Sequence, residues 1–225
     1  EAVRKRIQDK EVLRVWRSGH HLSLEEYHNI SGDRWITSVS ILPDDRSLLL
    51  GYSNGTMKLW DLEANLYQEV LEGHNGAVRS IVVSRDGRLA LSGGDDTTVR
   101  FWDLETGKCI ILLTGHTGGI KSVALSLDCK RALSGGEDKT VRLWDLQRGE
   151  TLSIFKGHRE EVISVGFLSD ENIVFSASMD GRLLSWHIET GQETDILNFK
   201  LGIDERRQMI DLVISPAQDY AIALL

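Results

Sequence analysis

Cysteine and proline are nearly missing from this sequence, with two of each among 225 residues. Cys109 and Cys129 are too few to staple a chain of this length, so both read as small buried hydrophobes and a reducing, cytoplasmic compartment is the expectation. Pro43 and Pro216 fall at strand-end positions, where a lost N–H does little harm. No apolar run reaches the 18 residues of a membrane-spanning helix. The opening stretch EAVRKRIQDKEVLRVWRSGH carries charges where a secretory leader needs an apolar core. Positive charge is also in deficit, the net charge being −8. That balance argues against a surface built to neutralise nucleic-acid phosphate or to coat an anionic membrane. The chain starts at Glu1 and stops inside the apolar run DYAIALL, and the expectation is a piece of a longer polypeptide with further domains attached.

What is present is a repeat. Gly-His pairs fall at 73–74, 115–116 and 157–158, and tryptophan at Trp60, Trp102, Trp144 and Trp186, followed by Asp61, Asp103, Asp145 and His187. Ser92, Ser134 and Ser176 keep the same step, as do Asp96, Asp138 and Asp180, and the step is 42 residues throughout. VRSIVVS and IKSVALS are apolar runs too short for helices and read as strands buried on both faces. TVRFWDL and TVRLWDL alternate, as strands nearer the surface do. Asp86-Gly87 marks one tight turn, and Thr106-Gly107, Arg148-Gly149 and Thr190-Gly191 a second. Each period therefore supplies about four short strands.

Serine, histidine and aspartate within one segment raise the prospect of a nucleophilic triad. An active site is built once, however, and these residues recur three times, so they read as architecture. GHTGGIKS resembles a phosphate-binding loop, but Ile120 stands where glycine is needed, and its sister segments GHNGAVRS and GHREEVIS lack the lysine. His20, His21, His28 and His187 have neither cysteine partners nor the spacing of a metal site. No catalytic residue, metal or cofactor is expected.

A four-stranded unit of 42 residues, with Gly-His near its start and Trp-Asp near its end, resembles the WD40-repeat family over nearly the whole chain. The resemblance implies an all-β fold, a WD40 β-propeller of four-stranded antiparallel blades. Here it predicts four full blades over 33–200. Residues 1–32 supply a partial blade of outer strands (VLRVW at 12–16, then 20–28, with Tyr27-His28 in place of Gly-His), and 201–225 the first two strands of a further one. Such propellers commonly have seven blades, so the chain is expected to be part of a larger one. A five-bladed ring closed by the two halves is the other arrangement.

The resemblance also implies a buried hydrogen-bonded chain in each blade. Its members are His74, Ser92, Asp96 and Trp102; then His116, Ser134, Asp138 and Trp144; then His158, Ser176, Asp180 and Trp186. The blade from about 33 to 72 departs from the pattern, with Gly32, Leu50 and Asn54 at the histidine, serine and aspartate positions. It is expected to be held by packing alone or by its neighbours, and to be looser.

By the same resemblance, partners dock on the top face. The positions that carry over are Ser53, Asp95, Glu137 and Met179 before the repeat aspartate. Trp35, Thr37, Ala77, Arg79, Gly119, Lys121, Glu161 and Ile163 flank the start of the innermost strand. Arg79 and Lys121 read as a basic pair, with Trp35, Ile163 and Met179 as apolar anchors. The competing reading is a solvated rim in which Arg79, Lys121, Asp95 and Glu137 pair across blades. The expected function is a scaffold binding other proteins or peptides, with no nucleic acid and no membrane. The alternatives are a regulatory region of a larger signalling protein, such as a nucleotide-switched ATPase or a kinase, and an enzyme using the channel mouth.

Overall fold

The computed structural model describes residues 14–17, 20–23, 35–64, 66–168, 171–198, 211–214 and 221–224. Tyr27, His28 and Gly32 lie outside the described residues, as does most of the charged segment after Asn198. The chain divides into two units, Glu1–Trp35 and Ile36–Leu225. The first contains one hairpin, β1 (Arg14–Arg17) and β2 (His20–Ser23), with Trp16 opposite His21.

The second unit is a series of antiparallel sheets, each a run of consecutive strands. The first blade is β3 (Ile36–Ile41), β4 (Ser47–Tyr52), β5 (Met57–Asp61) and β6 (Leu66–Leu71). The second is β7 (Val78–Val83), β8 (Leu89–Gly94), β9 (Val99–Asp103) and β10 (Lys108–Leu113). The third is β11 (Ile120–Leu125), β12 (Arg131–Gly136), β13 (Thr140–Asp145) and β14 (Glu150–Lys156). The fourth is β15 (Val162–Phe167), β16 (Ile173–Ser178), β17 (Arg182–His187) and β18 (Glu193–Asn198). A two-stranded sheet, β19 (Asp211–Ile214) with β20 (Ala221–Leu224), follows. Among the described residues there is no helix. The fold is all-β and built of propeller-type blades.

The most buried strand of each blade is the second, not the first. Every residue of β4 is buried, as are all but the first residue of β8, β12 and β16, whereas β7 and β11 are mostly half-buried. This corrects the expectation that VRSIVVS and IKSVALS are covered on both faces. A second strand has hydrogen-bonded neighbours on both edges, while a first strand is an edge. Both cysteines are half-buried rather than buried: Cys109 lies on an outermost strand, and Cys129 in the β11–β12 turn in a left-handed conformation, φ 56.

Blades join along their first strands. Ser80 Oγ on β7 accepts from Val123 N on β11 at 3.1 Å, and Ser122 Oγ accepts from Val165 N on β15 at 3.1 Å. Ser38 Oγ on β3 donates to Val78 O at 2.8 Å. The approach is close enough to demand glycine on the second strand: a Cβ on Gly93 would lie 2.9 Å from Ile120 Cβ and from Val123 Cγ1 of the next blade. Three of the four core clusters therefore span two blades, as where Leu91, Val99 and Leu113 meet Ile120, Val123 and Trp144.

Candidate functional site

The second, third and fourth blades each hold a buried polar chain. In the third, Trp144 Nε1 donates to Ser134 Oγ at 2.8 Å, His116 Nε2 is 2.7 Å from the same oxygen, and His116 Nδ1 is 2.7 Å from Asp138 Oδ2. An indole N–H can only donate, so the serine hydroxyl hydrogen is free to donate to Nε2; the imidazole proton then sits on Nδ1 and is donated to the carboxylate. His74, Ser92, Asp96 and Trp102 repeat this with distances of 2.8 to 2.9 Å. In both blades a threonine hydroxyl, Thr98 or Thr140, donates to the aspartate at 2.8 Å. The fourth blade has Arg182 at that position, and there His158 Nδ1 is 3.1 and 3.3 Å from the Asp180 oxygens. Ser176 Oγ lies 2.8 Å from His158 Nε2 and 2.9 Å from Trp186 Nε1.

These groups carry no free reactivity. Burial pushes the pKa of His74, His116 and His158 down, against the pull of their carboxylates. Burial opposes the charge of Asp96, but hydrogen bonds from Asn75 N, His74 and Thr98 outweigh it and hold the carboxyl below its usual range. Asp138 and Asp180 are lowered in the same way. The result positions the Gly-His loop against the β8–β9 type of turn in each blade.

The first blade replaces this chain rather than merely losing it. Tyr52 stands where the second and third blades have Gly94 and Gly136. A Cβ on Gly94 would lie 2.8 Å from His74 Nδ1, so a large side chain fits there only in a blade whose sequence lacks the histidine. Tyr52 is buried, with its hydroxyl 3.2 Å from Tyr67 Oη. Lys58 Nζ lies 4.4 Å from the Tyr67 ring centre, and Tyr67 meets Trp60 edge-on at 4.3 Å. Packing alone is therefore not what holds this blade.

At the loop end of the blades the charged positions are already paired. Arg79 donates to Asp95 through Nε at 2.8 Å and Nη2 at 2.6 Å, and Lys121 Nζ donates to Glu137 Oε1 at 2.6 Å. These pairs lie within blades, between a first strand and the residue after the second. The basic pair is thus not free, and pairing is not across blades as the rim reading had it. One link does cross, Lys121 Nζ to Glu161 Oε2 at 3.8 Å. The Arg79 guanidinium holds Asp95 below the usual carboxylate range, and Lys121 does the same for Glu137.

Backbone bonds fix this spacing: Asp95 N donates to Ala77 O at 2.9 Å, Glu137 N to Gly119 O at 2.9 Å and Met179 N to Glu161 O at 3.0 Å. Thr37 Oγ1 donates to Val78 O at 2.6 Å and so serves the joint between blades. Ile163 packs against Phe175, Ala177 and Leu183, and Met179 and Ser53 are half-buried. Trp35, in the first unit, is 59 % exposed.

The joint serines were missed by sequence reasoning. Ser38, Ser80 and Ser122 also keep the 42-residue step, which Ser164 continues in the sequence, a signal as regular as the one that exposed the buried chain. Among the described residues no group of three His, Cys, Asp or Glu is placed to hold a metal ion.

The family profile described as WD domain, G-beta repeat matches the chain four times, over residues 24–61, 66–103, 107–145 and 149–187, together more than half of it. No curated protein matches the chain. The last three matches begin at the first residue of the outermost strand of one blade or one residue before it, and end on the third strand of the next.

Proposed function

The chain belongs to the WD40-repeat family, and from that premise we propose that it is an interaction scaffold that takes a mixed-charge peptide or protein segment on the loop end of its blades. WD40 repeats mediate protein–protein interaction and complex assembly, and such domains are typically non-catalytic. One observation carries the finer reading. The residues that repeat are buried in the polar chains, while the positions that change from blade to blade, such as Arg79, Lys121 and Ile163, or Asp95, Glu137 and Met179, are gathered at one end of blades that are locked together.

Five charged groups there, Arg79, Asp95, Lys121, Glu137 and Glu161, alternate in sign with one negative charge in excess. A purely acidic partner would have to displace Asp95 and Glu137 from their cations, whereas a mixed-charge partner engages both signs. Exposed pairs of this kind are individually weak, so exchange costs little. The test is affinity purification from native lysate with the wild-type chain beside Arg79→Glu/Lys121→Glu, first shown to melt like wild type. Specific proteins lost from the variant place the working surface here; identical recovery refutes it.

A further inference from the structure

Arg100 on β9 and Arg142 on β13 stand 42 residues apart, at one position of the second and third blades. Each runs beside its own Gly-His loop: a Cβ on Gly73 would lie 2.7 Å from Arg100 Nη1, and one on Gly115 2.7 Å from Arg142 Nη1. The Arg142 guanidinium also lies over the Trp144 ring, 5.8 Å from its centre. Both Nε atoms are buried without a hydrogen-bond partner, and among the described residues neither guanidinium has a carboxylate partner. In a chain of net charge −8, two arginines without counterions are conspicuous.

The fourth blade shows what this place accepts. There Arg182 Nη1 donates to Gly157 O at 3.0 Å, and its Nη2 donates to Glu193 Oε1 at 3.0 Å. The Glu193 carboxylate lies over Gly157 so closely that a Cβ there would collide with it. The residues one and two periods earlier are Thr151 and Cys109, which bring no charge. The protein thus supplies a carboxylate beside the Gly-His loop in its fourth blade and leaves the arginine without one in the second and third.

An apolar neighbour accompanies each of these arginines. Leu112 is directly opposite Arg100 in the β9–β10 ladder, and Ile154 is opposite Arg142 in the β13–β14 ladder. Opposed residues share a face of the sheet, and both aliphatic side chains are exposed, at 49 % and 43 %. The other blades lack the combination: the first has Lys58 engaged with the Tyr67 ring, and the fourth has Leu184 at this position. Each outer strand also bulges, at Ile110 on β10 and at Leu152 on β14, which spoils it as a template for an added strand.

We infer that the outer flanks of the second and third blades dock a partner segment in which acidic and large apolar residues alternate, each blade taking one carboxylate on Arg100 or Arg142 and one aliphatic side chain on Leu112 or Ile154. A guanidinium offers a planar fork that a carboxylate matches in two hydrogen bonds, and here its stem is already ordered against tryptophan and loop. The surface is separate from the loop-end residues Arg79 and Lys121.

The probe is a fluorescein-labelled eight-residue peptide of alternating glutamate and leucine, titrated into the 225-residue chain and followed by anisotropy. The expected result is saturable binding, at least tenfold weaker when glutamine replaces glutamate, when serine replaces leucine, and with Arg100→Gln/Arg142→Gln. Thr151→Glu supplies the third blade with the carboxylate that the fourth already has; it should raise the melting temperature and weaken binding. That variant adds a partner instead of removing one, so it carries the test should the arginine variant unfold. Absent binding, equal binding of the glutamine peptide, or equal binding by the arginine variant and Thr151→Glu overturns the proposal. Loss with Arg79→Gln/Lys121→Gln but not with the flank variants would assign the peptide to the loop end, and overturns it too.

Discussion

Thr97 is a β-branched residue with φ 67, in the turn between β8 and β9. The same position is Gly55 in the first blade and Gly181 in the fourth, at φ 87 and 75, where glycine suffers no Cβ clash. A left-handed β-branched residue is strained by on the order of 1–3 kcal/mol, so Thr97→Gly should raise stability by about 1 kcal/mol, read by denaturant melts; a loss would mean that the Thr97 side chain makes good the strain. His187 is a second local departure. Asp61, Asp103 and Asp145 each accept two backbone N–H groups of the following turn through Oδ1. His187 holds their place in the fourth blade, and its Nδ1 is buried without a hydrogen-bond partner. His187→Asp should restore the turn's acceptor and add about 1 kcal/mol. An unchanged melting temperature would show that the turn is already satisfied by other means.

At the scale of the element, the first blade is the informative one. Its aromatic cluster fills the space that histidine and aspartate occupy elsewhere, so Tyr52→Ala should cost about 3–5 kcal/mol, as removal of a large buried ring does. Tyr52→Phe, which keeps the ring and loses only the 3.2 Å contact to Tyr67, should cost about 1 kcal/mol. Equal losses for the two would assign the stabilisation to the hydroxyl pair rather than to packing. Strand number, turn positions and the membership of the polar chains were legible in the sequence because each is a local pattern repeated at 42 residues. The tyrosine cluster was not, because Tyr52 has no counterpart in the other periods and its meaning depends on the space left by a residue twenty positions away. The Arg79 and Asp95 pairing escaped for a related reason. Residues 16 apart meet only once the register of two strands is known, and the sequence shows the charges without that register. The joint serines were visible as a column, but their partners are backbone N–H and C=O groups of the next blade, which no residue type announces.

For the molecule as a whole, the three buried histidines couple folding to pH. Their folded pKa values lie below the 6.5 of an unburied imidazole, so between the two values the unfolded chain binds protons that the folded chain refuses. Stability must then fall as pH drops below about 6.5, at up to about 4 kcal/mol per pH unit if all three act together. Asp96, Asp138 and Asp180 are lowered in the fold, so they add a further loss as pH falls through about 3.9. Melting temperatures measured from pH 8 to 4 should be level at first and then decline from just below 7; a level profile down to pH 5 would contradict burial as neutral imidazoles. The way the repeat straddles two blades has its own consequence. Removing any 42 consecutive residues between Trp60 and Trp186 joins equivalent positions, wherever the cut falls, and every blade that remains still has four strands in register. A deletion that cuts into strands and is not a multiple of 42 residues leaves a blade short of a strand or part of one. Whole strands can therefore be lost without harm to the remaining blades only in steps of one repeat, and the step is indifferent to where it begins.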